Sequence, residues 1–112
     1  MTDCLFCRIV AGEIPSDRVA ETDQVLAFRD VNPAAPQHIL LIPKEHVADS
    51  LAELENFSVL TDLVKLAQEI ATGAGFEEGW RMVTNVGENG GQSVFHLHFH
   101  LLAGRRLAWP PG

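Results

Sequence analysis

Three of the five histidines in this 112-residue chain stand at alternate positions in one short stretch, Phe95-His96-Leu97-His98-Phe99-His100-Leu101-Leu102. Alternate side chains of a β-strand point to opposite faces, and same-face neighbours lie about 6.5–7 Å apart. On a strand over 95–102 the three imidazoles line one face, while Phe95, Leu97, Phe99 and Leu101 line the other, the core. An exposed row of imidazoles adds nothing to a hydrophobic core, so chemistry explains it better than packing. Two chemistries suit the row. His-x-His can hold zinc with an open position that activates water, or one neutral imidazole can attack phosphorus while its neighbours orient it and neutralise phosphate charge. The second is favoured because the stretch contains no carboxylate and because Gly87-Glu88-Asn89-Gly90-Gly91-Gln92-Ser93 feeds directly into it. Glycines let the backbone approach a ligand closely and turn N–H groups toward an anion.

A second cluster of chemically capable residues opens the chain. Cys4 and Cys7 form a single CxxC, a spacing that suits half of a zinc site, a redox pair or two buried inert thiols. Four-coordinate zinc needs two further ligands, and His46 is a candidate for one of them. His38 opens an apolar run as either a core histidine or a partner of the triad. Asp30 ends another apolar wall, where a strand-end turn residue before Asn32-Pro33 is the plainer reading.

The elements that must position these groups follow from periodicity. Residues 4–11 carry apolar positions at Leu5, Phe6, Ile9 and Val10, a short helix with Asp3 as its cap and Gly12 as its stop. Residues 18–21 and 25–30 read as a hairpin around Thr22-Asp23. The nearly continuous apolar run at 38–43 predicts a central strand covered on both faces. From 56 to 72, Phe57, Leu60, Leu63, Val64, Ala67, Ile70 and Ala71 recur at steps of three and four, a long amphipathic helix ended by Gly73 and Gly75. Residues 81–86 make another strand, with Asn85 near its end, before the glycine loop and the triad strand. This order lacks repeated βαβ units. It predicts a single α+β domain over 1–112 with a mainly antiparallel five-stranded sheet, helices on one face and the histidines on the other.

Composition narrows the function. A chain this long with 46% apolar residues buries roughly two thirds of its unfolded surface without disulfide staples. Eight basic against fifteen acidic residues give a net charge of −7 and no basic stripe, which argues against a nucleic-acid partner. No apolar run reaches the roughly 20 residues of a membrane span, and no signal-peptide pattern opens the chain, so a cytoplasmic protein without a membrane partner is expected.

The chain resembles the histidine triad (HIT) family, whose signature is His-x-His-x-His followed by two apolar residues, met here by His96 to Leu102. The likeness runs through Glu13-Ile14-Pro15, Ala27-Phe28-Arg29-Asp30, Ala35-Pro36-Gln37-His38, Ile42-Pro43-Lys44-Glu45-His46, Gly90-Gly91-Gln92-Ser93-Val94 and Trp109-Pro110-Pro111-Gly112. It points to the Hint branch of nucleoside phosphoramidases. The resemblance implies that His98 attacks the α-phosphate of a purine nucleoside 5′-phosphoramidate or related nucleotidyl compound, and that the resulting nucleotidyl-histidine is hydrolysed. It implies that His100 binds the phosphate, that Ser93 bonds near the leaving group, and that His38 and His96 complete the network fixing the His98 tautomer. Asp30 becomes a ribose-binding carboxylate, Phe6, Phe28 and Val31 wall the base, and Asn85 and Gln92 serve the phosphate end. A third histidine, where transferases of the superfamily carry glutamine, implies hydrolysis. Catalysis needs no cofactor, while a structural zinc is implied at Cys4, Cys7, His46 and His96. The partner implied is a second copy, a homodimer in which the tail with Trp109 reaches the partner's site. The alternatives are a nucleotide-binding regulatory module, a dinucleoside polyphosphate hydrolase, or a zinc hydrolase using the triad as ligands.

Overall fold

The computed structural model describes residues 3–112. Its elements, in chain order, are α1 (Leu5–Val10), β1 (Arg18–Glu21), β2 (Val25–Arg29), β3 (Gln37–Pro43), a short 3-10 turn at Leu51–Glu53, α2 (Ser58–Ile70), β4 (Trp80–Val83) and β5 (Phe99–Ala103). The strands form one five-stranded sheet in the order β1-β2-β3-β5-β4, antiparallel at every pairing. This is the α+β architecture that the periodicity predicts.

The two central strands divide their side chains between two cores, as period-two alternation requires. Val25, Ala27, Ile39 and Leu41 join Leu63, Leu66 and Ala67 of α2 on one face. Leu26, Phe28, Leu40 and Ile42 join Phe6 and Ile9 of α1 on the other. β3 is buried on both faces because each face has its own helix. The expectation that helices cover only one face is therefore corrected: α1 lies on the histidine face. Instead of an exposed imidazole row, His96 is 0% and His98 5% exposed, because Phe6 stands edge-on to both rings at 5.8 and 5.0 Å.

The triad is also less of a strand than its alternation suggests. β5 begins only at Phe99, and His96 to His98 form an irregular lead-in. The ladder stops there, although β3 runs on to Pro43, because the backbone at 97–98 takes other partners, the His98 carbonyl accepting from the Thr84 hydroxyl at 2.7 Å. Residue Phe99 already pairs with Leu41 near the end of β3, and β4 ends at Val83 opposite His100. Leu97 N–H instead donates to the Ala48 carbonyl at 2.9 Å. The helix cap also moves by one residue, since Cys4, not Asp3, caps α1, its sulfur accepting from Cys7 N–H at 3.3 Å. No helix among the described residues is long and apolar enough to cross a membrane.

Candidate active site and metal centre

A backbone hydrogen bond fixes the tautomer of His98. Its Nδ1 lies 2.7 Å from the His96 carbonyl oxygen, which can only accept, so Nδ1 carries the proton. In the neutral ring Nε2 then holds the lone pair. His98 lines a cleft of about 350 Å³ between α1, the ends of β2 and β3, and the triad. An unprotonated imidazole nitrogen with its other side anchored is the arrangement a nucleophile or general base requires.

His100 is fixed in the opposite sense through His38. Ala34 N–H donates to His38 Nδ1 at 2.9 Å, so His38 carries its proton on Nε2. That proton is donated to His100 Nδ1 at 2.8 Å, with Asp30 Oδ2 3.4 Å away. His100 therefore keeps its own proton on Nε2. Burial lowers the pKa of His100 to about 4, the neighbouring His98 and His38 adding to the effect while Asp30 opposes it. Burial also lowers that of His38, again against the Asp30 carboxylate. Both rings are neutral near pH 7. The site thus sets a lone pair on His98 beside an N–H donor on His100, with ring centroids 5.1 Å apart. Together they can attack an electrophile and hold an oxyanion attached to it.

Four more donors gather at the N-terminal end of α1. One ligand atom each from Cys4, Cys7, His46 and His96 lies within 4.8 Å of every other. His96 donates its Nε2–H to the Pro43 carbonyl at 2.9 Å, and His46 Nε2 lies 2.7 Å from Asp49 Oδ1. His96, its pKa lowered by burial to about 4, turns an unprotonated Nδ1 toward the sulfurs, 3.2 Å from Cys4 Sγ, and His46 brings its Nδ1 to 3.6 Å from Cys7 Sγ. Two sulfurs and two imidazoles, each ring held by an acceptor behind it, are the donor set and outer support of a closed tetrahedral zinc site. The residues fit the metal.

The HIT domain family model matches residues 11–107. The chain belongs to the HIT family. A HIT-like protein of Synechococcus elongatus is 52% identical over 111 residues, covering 98% of this chain and 97% of the relative. A protein of Zea mays described as a 14 kDa zinc-binding protein is 49% identical over 113 residues, covering 96% and 87%. The crystal structure of a HIT family hydrolase from Legionella pneumophila Philadelphia 1 superposes with a TM-score of 0.93 at 46% identity, covering 98% of this chain and 100% of that one.

Within this HIT domain the cleft brings together Phe6, Phe28, Asp30, Val31, Ser93, His98 and His100. His38 stands behind it, in contact with His100, and His96 belongs by its side chain to the metal centre and by its carbonyl to His98. Asn85, Gln92 and Trp109 do not line the cleft, and Trp109 is 80% exposed. Gln92 is engaged with backbone: its Oε1 accepts from Gly87 N–H, and its Nε2 donates to the carbonyls of Asp49 and Val94. The glycine loop is likewise no open nest at three of its amides. Gly87 N–H meets Gln92, Gly91 N–H bonds to the Glu88 carbonyl, and Gln92 N–H bonds to the Gly87 carbonyl. Gly90 serves close packing, since a Cβ there would stand 2.4 Å from the Val86 oxygen, whereas Gly87 and Gly91 supply positive φ of 72° and 81°. Leu5, Ile9, Ile14, Pro15, Ser16 and Leu40 also wall the cleft and had no signal as binding residues beyond being apolar or small. A larger cleft of about 570 Å³, between 75–79 and 104–106, contains none of the triad.

Proposed function

We propose that the protein is a nucleotide hydrolase that cleaves the P–N bond of purine nucleoside 5′-phosphoramidates through a nucleotidyl-His98 intermediate. The observation that carries this reading is the pair of opposed tautomers: a lone pair on His98 Nε2 beside an N–H on His100 Nε2, in an otherwise mostly apolar cleft. Charge supports the order of roles. His100 is neutral near pH 7, so it offers a hydrogen bond rather than a competing nucleophile.

The nucleoside enters with its base between Phe6, Phe28 and Val31 and its ribose hydroxyls at Asp30. Asp30 is preorganised for this by the Asn32 N–H on its Oδ1 at 2.8 Å. His98 Nε2 attacks the α-phosphorus, and a P–N bond to His98 forms as the P–N bond to the leaving amine breaks. The imidazolium so created keeps its Nδ1–H on the His96 carbonyl, while His100 Nε2–H and the Ser93 hydroxyl hold phosphate oxygen and leaving group. The amine takes its proton from solvent at the cleft mouth. Water then attacks phosphorus, the bond to His98 breaks, the nucleoside monophosphate departs and the water's proton passes to solvent.

Zinc, when bound by Cys4, Cys7, His46 and His96, supplies a cross-link between α1 and the sheet and takes no part in the reaction. The protein works as a homodimer. Exposed Phe57 at the cap of α2, Val64 on α2, Trp80 on the edge strand β4 and Trp109 in the tail are apolar groups that a second copy would cover.

Intact-protein mass spectrometry during turnover of adenosine 5′-phosphoramidate, with peptide mapping and parallel AMP detection, tests the reaction. An adenylyl group on His98 is expected, and His98→Asn abolishes both adduct and turnover while retaining AMP binding. Turnover unchanged in that variant overturns the assignment.

A further inference from the structure

We propose that the Cys4–Cys7–His46–His96 centre positions the nucleotide cleft, so that metal occupancy and nucleotide affinity are thermodynamically coupled. The inference rests on the cleft being a nucleotide site and goes beyond a metal that merely stabilises the fold.

Two physical connections join the centres. The first runs through α1. A helix of six residues is far below the roughly 12–15 residues at which helices become marginally stable alone, so its placement depends on what holds its ends. Its C-terminal end is held by Arg18, whose guanidinium donates to the Ile9 carbonyl at 2.9 Å. Its N-terminal end is held by the cysteines, Cys4 as cap and Cys7 in the first turn. Phe6 lies between them in sequence, and its ring packs against Phe28 at 5.6 Å and His98 at 5.0 Å. Whatever fixes the two sulfurs fixes the wall against which a base would lie.

The second connection is His96 itself. Its Nδ1 faces the sulfurs, its Nε2–H is tied to Pro43, and its carbonyl orients His98. One residue would thus hold the metal with its side chain and already holds the candidate nucleophile with its backbone. The two sulfurs meet His96 Nδ1 at 3.2–3.6 Å, and thiols are weak hydrogen-bond partners. Metal bonds of about 2.0–2.3 Å would replace these contacts with a rigid cross-link. The entropy of ordering Phe6 and His98 is then lost on metal binding and need not be lost again on nucleotide binding.

The test is a thermodynamic cycle with AMP and zinc as the two ligands. AMP affinity is measured by calorimetry on zinc-loaded and metal-free protein, and zinc affinity by chelator competition with and without saturating AMP. Zinc is expected to tighten AMP by about five-fold or more, the lower end of typical couplings, and AMP must tighten zinc by the same factor. His46→Ala removes one ligand without touching the cleft. At zinc concentrations that fill the wild type, its AMP affinity is expected to match that of the metal-free wild type. Where metal-free protein loses its circular dichroism, the competition started from loaded protein still decides the matter, because coupling requires AMP to suppress zinc transfer to the chelator. AMP affinities equal within two-fold in folded loaded and metal-free protein, or zinc transfer indifferent to AMP, overturn the coupling alone. Failure of AMP to bind either form overturns the nucleotide reading of the cleft and the coupling with it.

Discussion

Replacing His100 with glutamine should make the protein less sensitive to acid. In the fold His100 is neutral, its Nδ1 accepting from His38 and its pKa pushed down by burial to about 4. In the unfolded chain it titrates near 6.5. Between these values the unfolded state binds the extra proton, so folding stability falls as pH drops through this window and the His100 share is fully present only above it. From pH 7 to pH 5 linkage gives an upper bound of about 2 kcal/mol. His100 lines the cleft and is only partly buried, and solvent screening there reduces the effect to about 1 kcal/mol. Glutamine cannot titrate, and its Oε1 can still accept the His38 proton. Urea unfolding of both proteins at pH 7 and pH 5 isolates the term, because every other titrating group is common to the two. With a slope of about 1–3 kcal/mol per molar urea, the wild-type midpoint should fall by roughly 0.5 M more than that of His100→Gln. Equal shifts in the two proteins would show that His100 is not held neutral by the fold, and the assignment of its Nδ1 as acceptor of the His38 proton would go with it.

Other predictions use the same geometry. Phe6→Ala removes an almost fully buried ring from the α1-side core, and should lower stability by about 3 kcal/mol and weaken AMP binding in the same protein, read by thermal unfolding and calorimetry. Gly90→Ala sets a Cβ against the Val86 backbone, so the loop must shift, with an expected loss of about 1–3 kcal/mol and altered amide shifts at Gly87 to Val94. Nitrogen-15 spectra of the imidazoles at pH 7 should show the proton of His98 on Nδ1 and those of His38 and His100 on Nε2. A proton on Nε2 of His98 would remove the lone pair from the cleft and refute the nucleophile geometry. Chelation of zinc should leave hydrolysis of adenosine 5′-phosphoramidate detectable, whereas a triad that itself ligated catalytic zinc would lose all turnover.

Much of the architecture was legible because period and composition are local. The 3.6-residue recurrence of Leu63, Leu66 and Ala67 buries one stripe of α2, and the uninterrupted run of Ile39 to Ile42 requires cover on both sides of β3. Strand β1 falls at 18–21 as its pattern predicts, and β2 ends one residue earlier than expected. The longer discrepancies arise where a strand needs a partner. Residues 84–86 and 95–98 carry strand-like patterns, yet β4 ends at Val83, and the backbone of Leu97 and His98 bonds to Ala48 and the Thr84 hydroxyl instead of a ladder. Propensity cannot foresee how far a neighbouring strand reaches.

The chemistry divides along the same line. Residue types alone determined that a row of imidazoles, a carboxylate at Asp30 and a CxxC were present, and their order along the chain matched one family. Tertiary structure decided what each imidazole offers. The two ring nitrogens of histidine are equivalent in sequence and become distinct only through an acceptor or donor placed beside one of them. Those neighbours are the carbonyls of His96 and Pro43, the amide of Ala34 and the carboxylate of Asp49, all supplied by backbone or by segments remote from the triad. Tertiary structure also gave His96 two duties, a ring aimed at Cys4 from 92 positions away and a carbonyl on His98. It engaged Gln92 with backbone rather than the cleft, because only the folded loop brings Gly87, Asp49 and Val94 within reach of one amide.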